Sequence, residues 1–257
     1  MGHIGFHIGF FVSTLNWSNT DASCISVLGN YAYICFYEKG LYVFDVSNPA
    51  SPQEIASLIL SGGFEAMQVY VSGDYAYVTD DANKFHVIDV SNPSSPVETG
   101  DLQMTSPSGA ITFGNNIYVK GNYAYVTIPT PSTGLVIVNI SNPESPEITG
   151  IYESASRFME VSIAGQYAYV VDESNGLQVI DVSDPANPVQ VGYYFDVSGY
   201  AESVFVDENY CYLDFVISFH QRYFPVIYFT GYHEAKKPMS STVKKTSTKS
   251  MPRKITG

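Results

Sequence analysis

Asp80-Asp81 and Asp172-Glu173 are pairs of adjacent carboxylates in a chain of which only 14% is charged. Neighbouring carboxylates suit two kinds of chemistry: holding a hard cation, or dividing the work of acid and base. Two fall short of the roughly six to eight oxygens that calcium takes, and no Asp-x-Asp-x-Asp-Gly loop accompanies them. A further acidic series, Asp45, Asp89 and Asp181 with Asn139 as its third member, stands before Ser-Asn-Pro or Ser-Asp-Pro each time. A catalytic group is needed once, whereas a turn residue is needed at every turn, so these are read as turn formers. His3, His7, His86, His220 and His233 show no metal-ligand spacing, and His86 simply alternates with Tyr42, Val136 and Gln178 on one face of a strand. Cys24, Cys35 and Cys211 form neither a CxxC nor an even set. No GxSxG, HExxH or P-loop is written in the chain. The expectation is therefore no catalytic residue, no metal and no cofactor.

The elements that must carry these residues are written in a repeat. Tyr-x-Tyr pairs start at Tyr31, Tyr75, Tyr123, Tyr167 and Tyr210, a period near 44. Before each pair stands a Gly-x turn (Gly29, Gly73, Gly121 and Gly165, with Glu208 in the last unit), and before that an alternating strand A. Its β-branched positions are Ile25/Val27, Val69/Val71, Ile117/Val119, Val161/Ile163 and Val204/Val206. Gly at the first central position suits a type II′ hairpin, whose twist matches its flanking strands. Strand B carries the tyrosines around a small residue. Strand C reads "LYVFDVS", "FHVIDVS", "LVIVNIS" and "LQVIDVS" and ends in Asn-Pro-x-x-Pro or Asp-Pro-x-x-Pro, where proline stops the ladder. Strand D follows. The hairpin count sets Cys24 opposite Cys35, as two adjacent reduced thiols.

A four-stranded unit repeated at this period predicts an all-β fold, a β-propeller of four-stranded antiparallel blades. The phrases "GLYVFDVSNP", "FHVIDVSNP", "GLVIVNISNP" and "GLQVIDVSDP", with their Tyr-Ala-Tyr strands, resemble the LVIVD-repeat family over about Cys24 to Asp214. That resemblance implies the same fold and a bacterial or archaeal surface or secreted setting, and it transfers no general catalytic motif. Residues 1–235 are read as the propeller, with repeats near 24–65, 66–113, 114–157, 158–200 and a partial 201–230. Five blades result if both termini close the last one, residues 8–15 supplying its strand D. The rival is an incomplete array, the mark of a truncated or frameshifted relative of a longer protein. Residues 236–257 are basic and polar and are read as a disordered tail.

Charge limits the partners. Seven of the 12 basic residues lie between Lys236 and Lys254, which leaves residues 1–235 with 25 acidic against 5 basic groups. Such a body repels nucleic acid and anionic membranes. No stretch of apolar residues is long enough to span a bilayer, and no clear signal peptide is present. In a closed propeller the single-copy residues gather at the channel mouth: Asp21, Glu65, Phe113, Arg157 and Tyr200 enter strand A, with Glu160 and Glu202 beside them. That polar, aromatic rim suits a small sugar, peptide or ion. The function expected is a non-catalytic cell-surface or extracellular binding or structural module, monomeric, with a glycan or peptide as ligand. The alternative is a propeller enzyme of hydrolase or lyase type, with Glu160 or Glu202 as base near Arg157.

Overall fold

The computed structural model describes residues 2–5, 14–17, 22–37, 40–62, 65–104, 116–128, 134–173, 175–194, 200–207, 210–218, 221–223, 226–228 and 242–244. Every element among them is a strand or a turn. Four sheets of four antiparallel strands follow one another in the predicted A-B-C-D order. Unit 1 comprises Ala22–Leu28, Tyr31–Phe36, Gly40–Asp45 and Gln53–Leu58. Unit 2 comprises Ala66–Ser72, Tyr75–Asp80, Lys84–Asp89 and Val97–Gln103. Unit 3 comprises Asn116–Lys120, Tyr123–Thr127, Leu135–Asn139 and Glu147–Tyr152. Unit 4 comprises Phe158–Ala164, Tyr167–Asp172, Gly176–Asp181 and Val189–Tyr194. A fifth sheet begins with Tyr200–Asp207 and Tyr210–Ser218.

The fifth sheet is completed differently from the expectation. Val226–Tyr228 pairs with Tyr210–Tyr212 as strand C, and its other neighbour is Thr242–Lys244 from the basic tail. Residues 8–13, expected as strand D, lie outside the described residues, and Thr14 and Leu15 pair with Gly5 and Ile4. Of the tail read as disordered, Thr242–Lys244 is a strand and the rest lies outside the described residues.

The hairpin reading holds at atomic detail. Gly29, Gly73, Gly121 and Gly165 all have φ between 58° and 60°, whereas the residue after each is not left-handed. That combination is the type II′ turn. Cys24 and Cys35 are register partners and both thiols are free. Strand A also carries an irregularity that the alternation does not announce: the register slips after Ala22, Ala66, Phe158 and Ala201. Each slip bends the innermost strand.

The core is a series of sandwiches between neighbouring units. Tyr33, Leu41 and Val43 of unit 1 pack on Val69, Val71, Ala76 and Val78 of unit 2. The same arrangement follows at Tyr77 against Ala124, Tyr125 against Ala168 and Tyr169 against Cys211. The tyrosine face of each of units 1 to 4 thus meets the β-branched, small-residue face of the next. The Asn-Pro turn makes a second link: a Cβ on Gly100 would stand 2.3 Å from the Pro143 carbonyl oxygen, and one on Gly150 would stand 2.1 Å from that of Pro185. Each of these outer strands therefore lies directly against the turn of the following blade.

Candidate functional site

Strand A of all five units borders one axial cavity of about 730 Å³. Consecutive residues of strand A line it, and two positions supply most of its polar and aromatic groups. The fifth residue before the turn supplies Cys24, Gln68, Asn116 and Glu160. The third residue before it supplies Ser26, Tyr70, Tyr118, Ser162 and Phe205. One layer is thus thiol, amide and carboxyl, and the other is aromatic and hydroxyl.

Much of the polar layer is used to join blades. Ser26 Oγ accepts from the Val71 amide at 3.1 Å, Asn116 Oδ1 from the Val161 amide at 3.2 Å and Glu160 Oε2 from the Val204 amide at 2.9 Å. The Cys24 thiol points at the Val69 carbonyl at 3.7 Å, and Ser23 Oγ donates to the Ala66 carbonyl at 2.7 Å. These bonds span 43 to 45 residues of sequence, one repeat each. Burial pushes the Glu160 carboxyl above its ordinary value, against bonds from Ser203 and Val204 that pull it down, and nearby Asp214 adds to the rise. Tyr70 and Tyr118 form a tilted pair with ring centroids 5.3 Å apart.

Of the residues expected at the mouth, Glu160 lines the cavity and Glu65 and Arg157 are not part of its lining. The Glu65 amide donates to Asp81 Oδ1 at 2.9 Å, and the Arg157 guanidinium pairs with Glu173 at 3.3 Å. Both link the strand A entry to the end of strand B. Tyr200 and Glu202 belong to strand A of the fifth unit, where their side chains are not among the described ones, and Asp21 and Phe113 lie outside the described residues.

The recurring turn acids are structural. Asp45, Asp89 and Asp181 each accept from the amide two residues on at 2.8 Å, and Asn139 does so at 3.0 Å. At Asp181 slight burial works against ionisation, but bonds from Ser183 and Gln166 outweigh it and hold the carboxyl below its ordinary value.

A polar cluster that matches no motif is buried in unit 2. His86 Nε2 lies 3.0 Å from Asp80 Oδ2, and Nδ1 lies 2.7 Å from Glu98 Oε1. Asp80 Oδ1 also accepts from the amides of Ala82 and Lys84, and Glu98 accepts from the amide and hydroxyl of Ser61. Burial alone would lower the His86 pKa, yet the bonds to Asp80 and Glu98 prevail and raise it above the ordinary 6.5. Unit 4 places Gln178 at the same point, donating to Asp172 Oδ2 at 2.7 Å. Units 1 and 3 put Phe36 with Tyr42 and Ile128 with Val136 there. The two positions change character together, polar with polar and apolar with apolar, and that internal pairing is the sequence signal that locates the cluster. No group of His, Cys, Asp and Glu among the described residues is arranged to hold a metal ion.

The repeat profile that fits this architecture is the LVIVD repeat, which matches residues 20–59, 63–103, 114–154, 157–196 and 198–216. The chain belongs to the LVIVD-repeat family. Comparison with curated proteins finds no match. Among solved structures, LVIVD units superpose on a Bacteroides uniformis protein described as a 6-phosphogluconolactonase, with a TM-score of 0.70 and 10% identity over 87% of this chain and 71% of that one. The β-propeller domain of Myceliophteria thermophila Cps50 (Swd1) gives a TM-score of 0.60 and 11% identity over 84% of this chain and 72% of that one. The computationally designed Ika8 protein gives 0.64 and 7% identity, over 85% of this chain. The LVIVD chain spans 61% of the length of Ika8, less than two thirds. At these identities the likeness is one of propeller fold alone.

Proposed function

We propose that this LVIVD-repeat propeller is a non-catalytic binding module of the cell surface or extracellular space, and that it holds its ligand in the axial cavity. The observation carrying this reading is how the cavity's polar groups are used. Asn116 and Glu160 each bond a backbone amide of the next blade, so they join consecutive blades while leaving about 730 Å³ open between the five strands. A cavity of that size is in the range of small-ligand sites. A general base must be able to take a proton from its substrate, and a carboxylate already bonded to Ser203 and Val204 is poorly placed for that. The surface setting rests on the family resemblance together with the acidic exterior.

The enzyme reading keeps one observation in its favour, a half-buried Glu160 whose carboxyl is shifted toward the neutral acid. Screening the folded chain against glycan and peptide arrays separates the two. Retention of a ligand that is recovered chemically unchanged is expected. Turnover of the retained compound, abolished by Glu160→Gln, would replace the module with an enzyme.

A further inference from the structure

The four junctions between consecutive blades bury the strand B tyrosine each time, and three of them also bury the last β-branched residue of strand A, whereas the junction between unit 5 and unit 1 buries neither. Tyr33, Tyr77, Tyr125 and Tyr169 are 2–5% exposed, whereas their counterpart Tyr212 is 40% exposed. Val71, Val119 and Ile163 are 5–7% exposed, whereas their counterpart Val27 is 46% exposed. Phe205, in the layer of Tyr70 and Tyr118, is 62% exposed. Val27 and Phe205 both line the axial cavity, so this uncovered seam opens into it from the side. Phe205 and Tyr212 stand with ring centroids 6.1 Å apart, forming an aromatic wall along the opening.

The chemistry of the lining narrows what enters. Among its described residues there is no Lys, Arg or His, so nothing there neutralises a phosphate or a sugar acid, and the acidic body repels both. A cation would need a carboxylate, and Glu160 is bonded to Ser203 and Val204. What remains are flat apolar rings beside amides and hydroxyls: Phe205, Tyr70 and Tyr118 with Gln68, Asn116 and Ser162. Rings present large apolar faces, while the amides and hydroxyls both donate and accept. A space bounded by five strands favours a compact ligand over an extended peptide. A ligand with apolar C–H faces, a rim of hydroxyls and no charge satisfies every one of these conditions.

We propose that the ligand is an uncharged carbohydrate that enters through the seam between the fifth and first units and stacks on Phe205. This rests on the axial cavity being the binding site. The test has two independent readouts on the full chain: calorimetric affinity, and the rate at which maleimide modifies Cys24. Cys24 lines the cavity, whereas Cys35 and Cys211 are buried. The probes are neutral hexose and N-acetylhexosamine oligosaccharides, uronic-acid oligosaccharides and proline-rich peptides. A neutral oligosaccharide is expected to bind and to slow Cys24 modification. Phe205→Ala should weaken it on the order of tenfold without changing the melting temperature, and Phe205→Trp should retain it.

If only uronic-acid or peptide probes protect Cys24, the carbohydrate assignment falls and the axial site stands. If a neutral sugar binds without protecting Cys24 and is indifferent to Phe205→Ala, the axial site falls as well. If no probe of any class binds, both are overturned. Should Phe205→Ala lose its folded spectrum, Phe205→Trp together with Cys24 protection in the wild-type chain still decides the matter.

Discussion

His86 is buried and Glu160 half-buried, and their ionisation has opposite consequences for the chain. Glu160 is a carboxyl pushed toward neutrality by burial, bonded across a blade junction. His86 is a base whose two carboxylate partners overcome burial and raise its pKa above 6.5. Its stabilising contribution is therefore fully present below pH 6.5 and is lost as pH rises through the raised folded value. Glu98 runs the other way. Burial opposes its ionisation, but bonds from His86 and Ser61 hold its pKa below the ordinary 4.5, so its contribution is present above pH 4.5 and fades as pH falls through the lowered value. Stability from this cluster should thus be greatest between these limits. Because unit 4 uses glutamine at the same position, His86→Gln should fold and keep a bond to Asp80. The expected outcome is a melting temperature whose fall from pH 6 to pH 9 is smaller in the variant than in the wild type, read by circular dichroism. At the turns, Asp181→Ala should cost on the order of 1 kcal/mol in urea unfolding and leave ligand binding intact. Loss of binding at unchanged stability would make Asp181 a site residue instead.

At the scale of the strand and turn, the Asn-Pro segment does more than end strand C. Its carbonyl groups sit against the outer strand of the preceding blade, closely enough that only glycine fits at positions 100 and 150. The atoms in the way are backbone, which cannot swing aside as a side chain would. Gly150→Ala is expected to cost about 1–3 kcal/mol through overpacking, measured by chemical denaturation. The first unit has Ala56 at the matching register position, opposite Val43 as Gly150 is opposite Ile137. The first junction is thus spaced to accept a methyl group, and Ala56→Gly should be far milder than Gly150→Ala.

Across the whole molecule, the blades are related by sequence but not equally covered. Tyr169 meets the face of the following unit, and Tyr212 has the same place in its own unit but is 40% exposed. Truncating a large buried aromatic costs about 3–5 kcal/mol, so Tyr169→Ala should lower stability by that order. Tyr212→Ala should cost well under half as much. Equal losses would mean that units 5 and 1 close tightly in solution and that the seam is shut. Charge acts at the same scale. An acidic body of 25 carboxylates against 5 basic groups repels itself, and screening within a Debye length of about 10 Å at 0.1 M salt relieves it. The melting temperature should therefore rise as sodium chloride is added.

What the sequence determined by itself is the repeat: the order of strands in each unit, the type II′ turns, the pairing of Cys24 with Cys35 and the turn role of Asp45, Asp89 and Asp181. All of these are local, set by alternation over a few residues and by the narrow conformational range of Gly, Pro and Asn. Tertiary structure decided what lies one repeat away. Ser26, Asn116 and Glu160 bond across 44 or 45 residues, and no periodicity within a strand says that a side chain will serve its neighbour's backbone. The same holds for the clasp of Asp80, His86 and Glu98, whose members come from three strands and whose trace in the sequence is only a matched change of polarity between units. The rim residues were placed by counting back from the turn. Glu160 among them lines the cavity, and the polar and aromatic groups of that lining come from the fifth and third positions before the turn, which the strand alternation does not single out. Burial finally distinguishes Tyr212 from Tyr169, because a side chain's exposure depends on what packs over it and not on the phrase in which it is written.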